Sequence, residues 1–174
     1  MTASIQSDSV LAAPIRCILS DVDGVMTDGR IIYDSAGAET KQFHVRDGLG
    51  IKLWMRAGFS FGIITARESV MVQRRASELG IMHVYQGAGD KLQRAVEIAD
   101  ELDCELSSFC YIGDDLPDIP VMKRVGIAVA PADAAADARE AAHWVLDREG
   151  GHGAVRELVE RLLRAKDLWN PNGV

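Results

Sequence analysis

The sequence has few cysteines, no excess of basic residues and no long apolar run, and each shortage excludes a class of protein. The chain has three cysteines, which is an odd number, and the spacing of Cys17, Cys104 and Cys110 matches no zinc site. The net charge of −7 argues against nucleic acid or an anionic membrane surface as the main partner. No apolar segment approaches the length of a transmembrane helix. We therefore expect a protein that binds neither nucleic acid nor membrane.

The N-terminal segment carries no recognisable targeting signal. The segment MTASIQSDSVLAAP lacks a basic stretch followed by a long apolar run, so no signal peptide is predicted. Free thiols are typical of a reducing compartment, which favours a cytoplasmic location. We expect residues 1–12 and 167–174 to be flexible, and residues 13–166 to form one domain.

Short apolar runs alternate with amphipathic segments along the chain. The predicted strands lie at 15–20, 59–65, 81–86, 108–113 and 126–130, and the predicted helices at 48–57, 68–79, 91–102 and 152–165. This rhythm predicts an α/β fold, a Rossmann-like parallel sheet flanked by helices. Residues 30–46 break the rhythm with two strand-like pieces around DSAGAE, which predicts a β-hairpin inserted after the first strand. Such a hairpin is expected to pack as a lid or against a partner subunit.

Polar residues follow each of the first four predicted strands. In chain order they are Asp21, Asp23 and Thr27, then Thr65 and Arg67, then Lys91, then Asp114, Asp115 and Asp118. Ligands of a parallel sheet bind beyond the carboxyl ends of its strands, so we expect these residues to share one site. Carboxylates without a Cys or His cluster suit Mg²⁺, and the lysine and threonine suit a phosphate.

Magnesium, phosphate and a free carboxylate together indicate phosphoryl transfer through an aspartyl-phosphate. Asp21 ends its strand and is the predicted nucleophile. Asp23 lies two residues on, on the same face, and is the predicted general acid and base. Taken singly, the residues have structural explanations: a solvated turn for the two acids, a helix cap for Thr65 and a solvated helix position for Lys91. Taken together, those explanations require polar residues at every strand end by coincidence.

The motifs DVDGVMT, Thr65, Lys91 and GDDLPD, in this order, resemble those of the haloacid dehalogenase-like phosphatases. The resemblance implies that Asp21 is both nucleophile and metal ligand. It implies that Asp23 is the acid and base and gives its backbone carbonyl to the metal, and that Asp114 is the remaining protein ligand. Thr65 and Lys91 would hold the phosphate. Two further acids would support the site: Asp118 would orient Lys91 or a metal-bound water, and the role of Asp115 stays open.

The longer segments DVDGVMTDG, FHVRDGLGIKLW, IITAR, YIGDDLPDIPVM and GGHGAVRE resemble one capless branch of these enzymes, the 3-deoxy-D-manno-octulosonate 8-phosphate phosphatases. The resemblance implies a homotetramer whose hairpins meet in a central barrel, and a role in lipopolysaccharide precursor synthesis. The substrate contacts it implies are Asp23, His44, Val45, Arg46, Asp47, Gly48, Lys52, Arg67, Arg75 and Lys91. Ala66 stands where the family commonly has glycine, and Lys52 where arginine is frequent.

Three other functions share parts of this pattern. A phosphatase for a nine-carbon ulosonate 9-phosphate uses the same scaffold, and a related module of sialic-acid-activating enzymes mainly forms tetramers without catalysis. A receiver-type switch also uses acids, Mg²⁺, a threonine and a lysine, but its acceptor aspartate ends a later strand, where this chain has Thr65. All four motif positions are intact, which favours an active phosphatase.

Overall fold

The structure is a computed structural model that describes residues 7–170. Its strands are β1 (Cys17–Ser20), β2 (Ile32–Tyr33), β3 (Glu39–Thr40), β4 (Ser60–Ile64), β5 (His83–Tyr85), β6 (Phe109–Ile112), β7 (Ile127–Ala130) and β8 (Trp144–Val145). Its α-helices are α1 (Asp8–Ala12), α2 (Val45–Arg56), α3 (Val70–Leu79), α4 (Lys91–Glu101), α5 (Ile119–Met122), α6 (Ala136–Ala141) and α7 (Ala154–Ala165). Short 3-10 turns lie at Leu106–Ser108 and Leu116–Asp118.

Six strands form one parallel sheet in the order β5-β4-β1-β6-β7-β8, with β1 near its centre. Helices cover both faces. Ile18 of β1 faces the core shared with α2 and α7, and Leu19 faces the core shared with α4 and α5. A strand buried on both faces has a continuous apolar run in place of an alternating one. The predicted α/β fold is confirmed.

The inserted hairpin is also confirmed. Strands β2 and β3 pair antiparallel, with Tyr33 opposite Glu39. The Asp34 carboxylate accepts the backbone N–H groups of Ala36 and Ala38, which closes the turn. The apolar side chains of Ile31 and Tyr33 are more than half exposed, at 51% and 58%.

One boundary differs from the prediction in a way that matters for the site. Helix α2 begins at Val45, so the stretch HVRDG is the first turn of a helix and not a loop. The His44 side chain caps this helix by accepting the N–H of Arg46 at 3.3 Å. Histidine is not among the favoured N-cap residues, which is why the sequence placed the start three residues too late.

The ends of the described chain are more structured than expected. Residues 8–12 form α1, because Ala12 is buried and Asp8 pairs with Arg161 at 2.7 Å. Near the other end, the Trp169 ring lies beneath the guanidinium groups of Arg156 and Arg164. Residues 1–6 and 171–174 lie outside the described residues. The thiols of Cys17, Cys104 and Cys110 are free. Within residues 7–170, no helix combines the length and apolar character needed to cross a membrane.

Candidate active site

Three carboxylates meet beyond the carboxyl ends of the two central strands. Asp21 follows β1, Asp114 follows β6, and Asp118 ends the 3-10 turn after β6. Each offers an oxygen within 4.8 Å of the others. Lys91, the first residue of α4, extends its ammonium between two of them, 2.7 Å from Asp21 Oδ2 and 2.6 Å from Asp118 Oδ1. The predicted convergence of strand ends therefore exists in the structure for these four residues.

Asp118 holds the other residues of this cluster in place. It is fully buried, and its Oδ1 accepts both Lys91 Nζ and the Tyr111 hydroxyl, the latter at 2.5 Å. Its Oδ2 accepts the backbone N–H groups of Asp114 and Asp115 at 2.9 and 3.2 Å. A Cβ on Gly113 would collide with the Asp118 side chain, so this close approach requires glycine. With both oxygens engaged, Asp118 anchors Lys91 and the turn that carries Asp114.

Burial and mutual repulsion control the charges of these groups. Burial, together with the nearby Asp118, raises the pKa of Asp21 to about 6, although the Lys91 ammonium opposes the shift. Burial, together with Asp21 and Asp118, raises the pKa of Asp114 to about 7. Burial works against the charge of Lys91, but the two carboxylates outweigh it and raise the lysine pKa. The cluster therefore has an excess of negative charge that one ammonium does not balance.

The residues present fit a hard divalent cation. Asp114 Oδ1 is buried and accepts no hydrogen bond from the described residues. Gly24 lies beside it with φ of +90°, and a Cβ there would overlap the Asp114 carboxylate. An unpartnered carboxylate oxygen among three acids, without cysteine or histidine, is a donor set suited to Mg²⁺. Asp21 and Asp114 could hold such an ion.

A small cavity of about 150 Å³ opens over the cluster. Its lining residues are Asp21, Asp23, Thr65, Ala66, Arg67, Lys91, Asp114, Asp115, Pro117 and Asp118. Asp21 is aligned at its floor, because its Oδ1 accepts the N–H of Val22 at 2.7 Å. Thr65 presents a buried hydroxyl, and Lys91 and Arg67 supply positive charge. This arrangement can receive a phosphoryl group and offer it a carboxylate oxygen.

Asp23 lies at the rim, with its carboxylate turned toward two basic groups. Its Oδ1 forms an ion pair with Lys41 Nζ, and its Oδ2 lies 3.6 Å from Arg67 Nε. Neither Lys41 nor Glu39, which pairs with it at 3.6 Å, was predicted from the sequence. Their spacing of two residues in a strand-like segment, which places them on one face, was the available signal.

Several predicted substrate residues do not line this cavity in the single chain. Asp47 is buried and accepts the N–H of Arg156 at 2.8 Å, in the first turn of α7. Gly48 leaves the space that the Arg75 guanidinium fills, and Arg75 lies over the Phe43 ring at 5.9 Å.

The remaining members of the predicted substrate set lie on α2. Val45 is exposed and Lys52 half-buried. Arg46 lines a larger groove of about 820 Å³, together with Arg148 and His152. The lining of that groove includes none of Asp21, Asp114 and Asp118, so the small cavity over those three acids is the candidate catalytic centre.

Comparison with known proteins gives one consistent result. Residues 75–158 match the model of the haloacid dehalogenase-like hydrolases. A 3-deoxy-D-manno-octulosonate 8-phosphate phosphatase KdsC from Yersinia pestis is 46% identical over 156 residues, which are 90% of this chain and 83% of that protein. The KdsC of Escherichia coli strain K12 is 42% identical over 155 residues, 89% of this chain and 82% of that protein.

Solved structures agree with the sequence relatives. The Yersinia pestis phosphatase superposes with a TM-score of 0.91 at 45% identity, covering 93% of this chain and 88% of that one. The phosphatase from Moraxella catarrhalis, solved with a magnesium ion, a phosphate ion and a KDO molecule, gives a TM-score of 0.90 at 42% identity. The superposition covers 92% of this chain and 93% of the Moraxella chain.

Proposed function

The chain belongs to the haloacid dehalogenase-like hydrolases, in the family of the 3-deoxy-D-manno-octulosonate 8-phosphate phosphatases, and we propose that it hydrolyses 3-deoxy-D-manno-octulosonate 8-phosphate with Mg²⁺ as its cofactor. The reaction yields the free sugar acid and phosphate, a step in lipopolysaccharide precursor synthesis. The observation that carries the proposal is the buried Asp21 carboxylate, aligned by Val22 and Lys91 at the floor of a cavity sized for a phosphoryl group. The relatives support neither the nine-carbon substrate nor the non-catalytic module.

In the first step, an oxygen of Asp21 attacks the phosphorus and the bond from phosphorus to the sugar oxygen breaks. Asp23, in its protonated form, gives the leaving oxygen its proton. Lys91 and Thr65 hold the other phosphoryl oxygens, and Asp118 keeps Lys91 in place through the 2.6 Å ion pair. The products of this step are the sugar acid and a phosphoryl group on Asp21.

In the second step, Asp23 takes a proton from a water molecule while the water oxygen attacks the phosphorus. The bond between phosphorus and Asp21 breaks, and Asp21 returns as a carboxylate beside free phosphate. Asp23 ends with the proton it needs for the next turnover. Asp21, Asp114 and the backbone carbonyl of Asp23 would hold Mg²⁺, which would stabilise the negative charge of the phosphoryl oxygens.

The proposed assembly is a homotetramer, in which hairpins from neighbouring chains meet. The exposed Ile31 and Tyr33 on the hairpin support it, because apolar side chains clustered on a two-stranded ribbon favour a partner surface. A neighbour would also bring groups over a cavity that is too small to hold the sugar. In this proposal His44, Val45, Arg46, Lys52 and Arg75 bind the sugar acid only in the assembled enzyme, whereas Arg67 already lies at the rim. Asp47 and Gly48 are buried, so their part is to shape the start of α2. The proposed compartment is the cytoplasm, which the three free thiols support.

The test is phosphate release, with Mg²⁺, from a panel that includes the eight-carbon and nine-carbon ulosonate phosphates. The proposal predicts a large kcat/KM preference for the eight-carbon ester, and reversible loss of turnover with EDTA. Asp21→Asn should abolish turnover and leave the fold intact. Equal, low efficiency on all esters would leave the phosphatase chemistry and overturn the substrate.

A further inference from the structure

Lys41 is a lysine whose side chain is almost completely buried, with 1% of its surface exposed. It directly follows β3, the second strand of the inserted hairpin. A buried ammonium is costly unless oppositely charged groups surround it. In the described chain its ion-pair partners are Asp23 Oδ1 and, at 3.6 Å, Glu39 Oε1. The hairpin therefore inserts a charged residue beside the proposed acid and base of its own subunit.

Glu39 ties this lysine to the rest of the site. One oxygen of its carboxylate accepts Arg67 Nη2 at 2.9 Å, and the other accepts the Ser69 hydroxyl at 2.5 Å. Arg67 Nη2 also donates to the Tyr33 hydroxyl at 3.2 Å. The hydrogen bond from Ser69, then that from Arg67, holds the pKa of Glu39 below its ordinary value, so the carboxylate stays charged. The network joins both hairpin strands to the segment after β4, which fixes where the Lys41 ammonium lies.

We infer that Lys41 is a positioning residue for Asp23. Its ammonium binds Oδ1 of that carboxylate and fixes the side-chain rotamer. The other oxygen, Oδ2, lies 3.6 Å from Arg67 Nε and is the one that exchanges a proton. The inference rests on the proposed function. There, Asp23 gives a proton to the sugar oxygen as the bond between that oxygen and phosphorus breaks, and Asp23 later takes a proton from water. Lys41 transfers no proton itself. It limits the orientations of Asp23 to the one that both steps use.

The first test compares three variants on an alkyl phosphate substrate. Lys41→Met removes the ammonium from a stem of similar length, and we expect kcat to fall by about a hundredfold, within the range of positioned proton transfer. KM should stay nearly unchanged, because no substrate contact is removed. Lys41→Arg restores a cation and should recover part of kcat. Arg30→Met is the matched control, since this basic side chain of the same inserted segment is 80% exposed; it should keep the original kcat.

A second substrate separates positioning from a structural role. The phenolate of p-nitrophenyl phosphate leaves without needing a proton, whereas the later attack of water still requires Asp23 as base. Lys41→Met should therefore retain a rapid first-turnover burst of nitrophenolate and lose steady-state rate. A variant with a damaged fold loses both phases. If Lys41→Met does not fold, Lys41→Gln is measured by the same burst criterion.

A double-mutant cycle completes the test. If Lys41 acts through Asp23, adding Lys41→Met to Asp23→Asn should cost nothing further. Three results would each overturn the inference. They are additive losses of activity in the double variant, equal loss of the burst and the steady-state rate in Lys41→Met, and a folded Lys41→Met with the kcat of the original protein. Full activity of Asp23→Asn would instead remove the acid–base role in the proposed function. A dead Asp23→Asn with a normal Lys41→Met would remove the positioning role alone.

Discussion

The buried Asp118 carboxylate should be a major determinant of stability as well as of activity. In Asp118→Asn the shape is kept, but one charge is lost and an acceptor oxygen is replaced by an NH₂ donor. Whichever way the amide turns, it places that donor against either Lys91 and the Tyr111 hydroxyl or the backbone N–H groups of Asp114 and Asp115. The substitution therefore sets the new NH₂ group against buried hydrogen-bond donors. It also removes one of the two carboxylates that pair with Lys91.

The size of the effect follows from two opposing contributions. Breaking a buried ion pair by removing one partner costs about 3–5 kcal/mol. Removing the charge also relieves repulsion, since Asp118 raises the pKa of both Asp21 and Asp114. That relief offsets only part of the lost pair. We therefore expect the free energy of unfolding to fall by about 3 kcal/mol, the lower end of that range.

The assay is denaturant unfolding of the metal-free protein in EDTA at pH 7, with Asp115→Asn as the matched control. Asp115 is exposed and caps a short 3-10 turn, so its variant should lose no more than about 1 kcal/mol. Phosphate release by Asp118→Asn should also fall, because Lys91 is less well held. Equal stability of the two variants would refute the assignment of Asp118 as the anchor of the cluster.

Two further predictions concern the metal site. Burial raises the pKa of Asp114 to about 7 and that of Asp21 to about 6 in the metal-free protein, so both must lose protons to bind Mg²⁺. The affinity for Mg²⁺ should therefore fall by roughly twentyfold between pH 8 and pH 6, and calorimetry showing no change would contradict this. Gly24→Ala should weaken Mg²⁺ binding and turnover severely, since its Cβ would overlap the Asp114 carboxylate, whereas Gly37→Ala, in open space in the hairpin turn, should leave the affinity unchanged.

Much of the fold could be predicted from the sequence because its central strands are buried on both faces. Continuous apolar runs around Ile18 and Cys110 marked these strands, and the acids that end them marked the site. The start of α2 was placed too late, since His44 is an unusual cap. Strand β8 has two residues, too few for a periodic signal.

The contacts of the site were less predictable than its location. Lys41 and Asp23 lie 18 residues apart, and their pairing depends on how the hairpin folds back over the sheet edge. Likewise, Asp47 reaches the start of α7 across 109 residues, so its role as a buried acceptor was not visible in the motif HVRDG. Local spacing predicts which residues share a face, but partners distant in sequence are set by the packing of whole elements.

The most direct test of the account is to detect the phosphoryl group on the enzyme. The protein is mixed with 3-deoxy-D-manno-octulosonate 8-phosphate and Mg²⁺, quenched in acid within the first turnover, digested and analysed by mass spectrometry. We expect the mass of one added phosphoryl group on the peptide containing Asp21, and its absence in Asp21→Asn. Rapid phosphate release with no phosphorylated peptide at any quench time, or by Asp21→Asn itself, would contradict the central role of this carboxylate.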